Sequence, residues 1–218
     1  MGYYDNVRLD LISLVQGKNN KILEVGCGTG NTGKFLKETG IANYVVGIEV
    51  NVEVARVAAL NLDAVIPTDI ESCKESFDRS FDYIILGDVL EHLQDPICVL
   101  KVLNGWLKDG KYIIVSVPNV RHHSVVLKLV MQGKWNYEER GILDVTHLRF
   151  FTRSSLVQIL KDSYFSIIKV YPIFNLNPRK RRLPFVLNLL TLGFFKEFLT
   201  DQWVLIAKKI DVPDGEKT

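Results

Sequence analysis

Short apolar runs alternate with stretches of helical spacing along most of the chain, which predicts a parallel α/β sheet covered on both faces. Val7 to Val15 carries apolar residues at helical spacing and reads as a leading helix. Ile22, Leu23 and Val25 form a first buried strand, and Asn31 and Thr32 open a helix that Phe35 and Leu36 continue. Tyr44 to Val50 is a second strand, Val52 to Leu60 a helix and Ala64 to Pro67 a short third strand. The nearly unbroken apolar run Phe81 to Leu86 belongs at the sheet centre. Asp95-Pro96 supplies an N-cap and an N1 proline for a helix to about Leu107. Lys108-Asp109-Gly110 reads as a turn, and Tyr112 to Val117 as the fifth strand. A short helix over Ser124 to Met131 and an irregular stretch to Arg149 follow. Thr152 then caps a helix to about Lys161, and Phe165 to Tyr171 and Trp203 to Lys208 are the last strands.

Composition narrows this picture. A chain of 218 residues is most simply one domain, here 1–210 with an apolar insertion at about 172–200 and a polar tail at 211–218. A net charge of +2 gives no global reason to expect nucleic acid. Cys27, Cys73 and Cys98 form no C-x-x-C pair and read as reduced fillers rather than a disulfide frame or zinc site. With no apolar signal segment at the N-terminus and no window long enough to span a bilayer, the expected location is the cytoplasm.

The first strand ends in Gly26, Gly28 and Gly30, on alternate positions. A strand, a loop bare of side chains and a helix N-terminus together suit a polar, nucleotide-like ligand, with Cys27 inside the ligand loop. Gly28 to Gly33 matches the dinucleotide G-x-G-x-x-G pattern, but the glycine that directly follows the strand is Gly26. Counted from Gly26, an acid, Glu24, lies inside the strand end; it would repel a pyrophosphate and would suit the ammonium and sulfonium of S-adenosylmethionine. Glu49, about twenty residues beyond the loop at the end of the second strand, is placed to accept from both ribose hydroxyls. NAD would use the same carboxylate, so Glu49 does not separate the two cofactors.

The fourth strand delivers Gly87-Asp88-Val89-Leu90-Glu91-His92 to the crevice outside its carboxyl end, where ligands bind in open α/β sheets. If the segment turns helically, Asp88, Glu91 and His92 share one face. They would hold a divalent cation, or leave His92 as a general base tuned by its neighbours. The loop pair His122-His123 reads as solvated, and Trp135, Tyr137 and Arg140 as a substrate lid whose rings suit sugar or aryl groups. Arg179 to Arg182, followed by the apolar run to Leu199, suits a pocket cover, a homodimer contact or a peripheral membrane contact.

Glu24-x-Gly26-x-Gly28-x-Gly30 resembles the first motif of class I S-adenosylmethionine-dependent methyltransferases, and the resemblance extends from Lys21 to about Phe151. The segment Asp144-Val145-Thr146-His147-Leu148-Arg149-Phe150-Phe151-Thr152 resembles the Asp-x-Thr-His-Leu-Arg-x-Phe-Thr stretch of a bacterial group, methyltransferases of types 11, 12 and 23, associated with glycan and secondary-metabolite modification. This implies a Rossmann-like seven-stranded sheet with an antiparallel last strand. It also implies Asp69 on the adenine amine with Ile70 against the ring. Asp-x-x-Glu-His resembles the Glu-containing version in ubiquinone-biosynthesis and small-RNA methyltransferases, where the trio looks like a magnesium site; His147 would complete a set of Asp88, Glu91, His92 and His147. Without a metal, His147 is a candidate to take a proton from a substrate hydroxyl. No Asn/Asp-Pro-Pro-Tyr motif follows the fourth strand, so the implied reaction is O-methylation of a small molecule or glycan. An NAD(P)-dependent oxidoreductase and a non-catalytic S-adenosylmethionine-binding module remain as rivals.

Overall fold

The computed structural model describes residues 6–174 and 195–211. Seven strands run β1 (Asn20–Val25), β2 (Ala42–Ile48), β3 (Ala64–Ile66), β4 (Phe81–Gly87), β5 (Leu107–Pro118), β6 (Phe165–Ile173) and β7 (Gln202–Lys209). They form one sheet in the order β3-β2-β1-β4-β5-β7-β6. The first five pair in parallel, and β7 runs antiparallel to both β5 and β6. The strand order reverses between β1 and β4, which opens a crevice at their carboxyl ends.

Helix α1 (Leu9–Ile12) precedes β1, and α2 (Asn31–Glu38), α3 (Val52–Ala58), α4 (Pro96–Trp106), α5 (His123–Gln132), α6 (Arg153–Asp162) and α7 (Lys196–Leu199) lie between the strands. Alternation along each strand divides the core in two. Leu23, Val25 and Leu86 pack with Leu100, Leu103, Leu156 and Leu160 of α4 and α6. Ile22, Tyr83 and Ile85 pack on the opposite face with Leu11, Leu36 and Ala58 of α1, α2 and α3. Caps set the helix starts where the side chains permit: Asn51 accepts from the Glu53 and Val54 amides, and Asp95 from the Cys98 amide.

Two expectations about local structure change. The leading helix is a single turn, and its continuation to Val15 winds more tightly: the Leu14 and Val15 amides bond three residues back, to Leu11 and Ile12. The expected turn at Lys108-Asp109-Gly110 lies inside β5. Phe81 pairs with Leu107 and Tyr83 already pairs with Tyr112, so the intervening residues bulge outward, with Gly110 at a φ of 71°. Most of the run from Arg179 to Leu199, and with it the pocket-cover, dimer and membrane expectations, lies outside the described residues. No helix among the described residues is long and apolar enough to cross a membrane.

Candidate active site

The glycine loop needs its composition. Gly26, Gly28 and Gly30 all have positive φ, at 68°, 54° and 77°. A Cβ on Gly26 would come within 2.7 Å of Val89, so position 26 also lies too close to the β4 exit for a side chain. Glu49 ties the loop down, accepting from the Gly28 amide at 3.0 Å and the Asn51 amide at 3.0 Å. Two amide bonds leave a carboxylate with further lone pairs. Asp69 accepts from the Glu71 amide and so starts a 3-10 turn over Ile70–Ser72.

Above this loop is a cavity of about 850 Å³. Glu24, Gly26, Cys27, Gly28, Glu49, Asp69, Ile70, Gly87 and Asp88 all line it; of the expected cofactor residues only Gly30 does not. Cys27 is buried, and burial pushes its thiol well up, which leaves it unreactive. Burial pushes the Glu24 carboxyl up to about 8, against the opposing pull of the Thr32 hydroxyl and the Gly33 amide. Its Oε2 is buried with no hydrogen-bond partner, a group a cationic ligand would satisfy.

Beyond Gly87 the chain departs from the expected helical face. Asp88 has a φ of 58°, and a 3-10 turn begins only at Leu90. The Asp88 carboxylate is therefore not one of the grouped ligands. Its Oδ2 is 2.7 Å from Arg8 Nη1, and its Oδ1 accepts from the Ser116 hydroxyl at 2.9 Å and from Gln202. Glu91, His92 and His147 do come together, with one ligand atom from each within 4.8 Å of the others. The Leu148 and Arg149 amides donate to the Glu91 carbonyl at 2.8 and 3.0 Å, which brings the distant His147 to this turn. The His92 and His147 rings meet edge to face with centroids 4.9 Å apart.

His147 Nδ1 is 3.0 Å from the Ile142 carbonyl and His92 Nδ1 is 3.2 Å from the Thr146 carbonyl. A carbonyl only accepts, so each Nδ1 carries a proton and each Nε2 is left with a lone pair. Burial, with His92 as a further opposing neighbour, holds the His147 imidazole below its ordinary range and hence neutral. Both carboxyl oxygens of Glu91 are buried without a partner, and burial followed by Asp88 holds its pKa well above the ordinary value. His92 lines the cavity; Glu91 and His147 stand behind it.

Other expectations move elsewhere. His122 is buried and caps α5, accepting from the Ser124 amide, while His123 Nδ1 donates to the Phe198 carbonyl. Neither is the solvated loop residue expected. Trp135 and Tyr137 pack on Phe150, at 5.1 and 6.3 Å between centroids, so the cavity receives Glu139 and Arg140 from that stretch instead of aromatic faces. Sequence reasoning missed Arg8, which lines the cavity from ahead of the first strand; an arginine in an unmotified segment carries no local signal.

A glycine loop at the switch point of this sheet, with an acid in the preceding strand and another at the end of β2, defines the class I methyltransferase fold. The comparisons agree. A family model described as a methyltransferase domain matches residues 6–170, and the chain belongs to this family of S-adenosylmethionine-dependent methyltransferases. The chain is 33% identical over 101 residues to phosphoethanolamine N-methyltransferase 1 of Arabidopsis thaliana, covering 44% of this chain and only 20% of that protein. It is 25% identical over 167 residues to a ubiquinone biosynthesis O-methyltransferase of Paracidovorax citrulli, covering 70% of this chain and 68% of the relative. An S-adenosylmethionine-dependent methyltransferase from Archaeoglobus fulgidus shares the fold with a TM-score of 0.66 at 21% identity, over 92% of this chain and 90% of that one.

Proposed function

We propose that this protein transfers the methyl group of S-adenosylmethionine to a hydroxyl of a small molecule or glycan. The observation that carries this reading is His92 at the wall of the cofactor cavity, its Nδ1 on the Thr146 carbonyl and its Nε2 left to accept a proton, with the His147 ring packed behind it. Glu49 takes the ribose hydroxyls, Asp69 the adenine amine and Ile70 the ring face. The backbone of Gly26 to Gly28 lies close along the cofactor, and Glu24 and Asp88 face its methionyl ammonium. The acceptor oxygen attacks the sulfonium methyl in line; the C–S bond breaks as the O–C bond forms, leaving the neutral thioether of S-adenosylhomocysteine. The hydroxyl proton passes to imidazole Nε2. Holding the two reactants in line supplies much of the rate, and proton removal adds roughly 10²- to 10⁴-fold.

Glu91, His92 and His147 also fit a divalent cation, because a buried carboxylate with no partner and two imidazole lone pairs are the donors such an ion needs. A bound cation would lower the pKa of a hydroxyl beside it. With Asp88 engaged by Arg8, the set holds more nitrogen than oxygen, which suits manganese, iron or zinc better than the magnesium first expected. The three cysteines are free thiols, in keeping with the reducing cytoplasm in which we place the protein.

Transfer to an amine is a second reading, favoured by the likeness to phosphoethanolamine N-methyltransferases. An amine already deprotonated at a pH above its own pKa of about 10 needs no general base, so His92→Ala assayed at that pH separates the two. With a hydroxyl acceptor, the variant is expected to lose about 10²-fold or more in kcat at unchanged cofactor affinity; with an amine acceptor, kcat changes little. The first measurement is calorimetric titration with S-adenosylhomocysteine, and absence of binding sinks both readings. Turnover with a hydroxyl acceptor that survives chelation points to imidazole as the base, and loss restored by manganese to the metal.

A further inference from the structure

We propose that the methyl acceptor carries an anionic group, a carboxylate or a phosphate, beside its reacting hydroxyl, and that Arg140 binds this group. The inference rests on the acceptor placement proposed above, with the reacting hydroxyl at His92. The strap that carries His147 forms the wall of the cavity around His92, through Glu139, Arg140, Asp144, Val145, Thr146 and Leu148. Among the described residues, no Phe, Tyr or Trp lines the cavity. The rings of Trp135 and Tyr137 are spent on Phe150, so a sugar or aryl ring finds no aromatic face to stack on. Recognition of a polar acceptor then falls to charge and hydrogen bonding.

Most of the charge around the cavity is already engaged. Asp144 is buried, and its Oδ1 accepts from the Thr146 amide at 2.8 Å and from the Thr146 hydroxyl at 2.7 Å. Arg8 is held by Asp10 and Asp88, and Arg149 donates to the Gln94 carbonyl. Arg140 forms no ion pair or hydrogen bond with any described residue, although Glu139 is its neighbour in the chain. It is therefore the cation on the cavity wall that no carboxylate answers. A guanidinium presents a flat fork that takes two oxygens of one carboxylate or phosphate. Glu139 also has no partner among the described residues, and it would accept from further hydroxyls of the same molecule.

The loop that presents Arg140 is fixed to the reacting imidazoles. The Glu138 amide donates to the Leu143 carbonyl at 2.8 Å and the Val145 amide to the Glu138 carbonyl at 2.9 Å, which closes the loop at its base. Gly141, at a φ of 102°, turns the chain directly after Arg140. The next residue, Ile142, gives its carbonyl to His147 Nδ1 at 3.0 Å, and the His147 ring packs on that of His92. An anion held by Arg140 is thereby kept in register with a hydroxyl at His92, which is the positioning that in-line transfer requires.

The test loads the protein with S-adenosylhomocysteine and then titrates glucuronate, glucose 6-phosphate and glucose, read by calorimetry and ligand-observed NMR. At least one of the two anions should bind about tenfold more tightly than glucose, the worth of one charge-assisted pair. Arg140→Gln should remove that advantage and leave S-adenosylhomocysteine affinity unchanged. Glucuronate ahead of glucose 6-phosphate identifies the group as a carboxylate, the reverse order as a phosphate, and parity as either. Arg140→Lys, which keeps the charge without the fork, should keep part of the preference. Lys134→Gln, which removes an exposed charge that does not line the cavity, should keep all of it. Glucose binding as tightly as both anions, no binding by either anion, or a preference that survives Arg140→Gln each overturns the proposal. Failure to bind S-adenosylhomocysteine, or the amine outcome of the His92→Ala assay, overturns instead the reading beneath it.

Discussion

Glu24 shows how a single buried acid couples the cofactor site to pH. Its folded carboxyl titrates at about 8 against an ordinary value of 4.5, chiefly because it is buried. Between those values the folded protein holds a proton that the unfolded chain has lost, so this group makes stability fall as pH rises from about 5 to 8. Arg8 and Glu49 are its charged neighbours, and Cys27 its titratable one. Glu24→Gln mimics the neutral acid. Denaturant midpoints of the two proteins should agree near pH 5, and the wild type should fall progressively below the variant towards pH 8.5. Binding has the opposite slope. The ammonium of the tail favours the ionised carboxylate, so wild-type affinity for S-adenosylhomocysteine should rise between pH 6 and 8, and Glu24→Gln should lose that rise. A flat wild-type profile would remove Glu24 from the tail site.

At the scale of elements, the site depends on two segments far apart in sequence meeting at the end of β4. The turn Leu90–His92 carries Glu91 and His92, and its Glu91 carbonyl receives the strap that carries His147. The strap runs into α6, whose first turn is closed by reciprocal bonds between Thr152 and Ser155. Thr152→Ala should cost about 1 kcal/mol in urea unfolding. It should leave S-adenosylhomocysteine affinity unchanged, because Leu156 and Leu160 still hold α6 on the core. Element positions were legible because the apolar periodicity was clear and because Asp95 and Thr152 cap the helices they begin. Two details were not. The bulge at Lys108 to Lys111 depends on pairing with β4, and Asp88 left the expected helical face because Arg8, eighty residues away, holds its carboxylate.

For the whole molecule, the cofactor should act as a staple. The cavity is lined by residues from most of the parallel strands and from the N-terminal segment, so a ligand bound there bridges parts of the chain that unfold together. At about 100 times its Kd, S-adenosylhomocysteine should add ~2.7 kcal/mol to stability. A thermal scan with and without the ligand checks this, and an unchanged midpoint at saturation would exclude binding to the folded state.

The sequence by itself determined the alternation of strands and helices, the glycine loop, and the acids at the ends of β1 and β2. Each of those follows from local spacing: period two for strands, glycine where φ is positive, acids a fixed distance from the loop. Only the tertiary structure decided which polar groups meet. It paired Asp88 with Arg8, turned the rings of Trp135 and Tyr137 onto Phe150 and away from the cavity, and brought His147 to Glu91 and His92. These contacts join residues from 13 to 80 positions apart through packing and burial, and no local pattern in the chain encodes them.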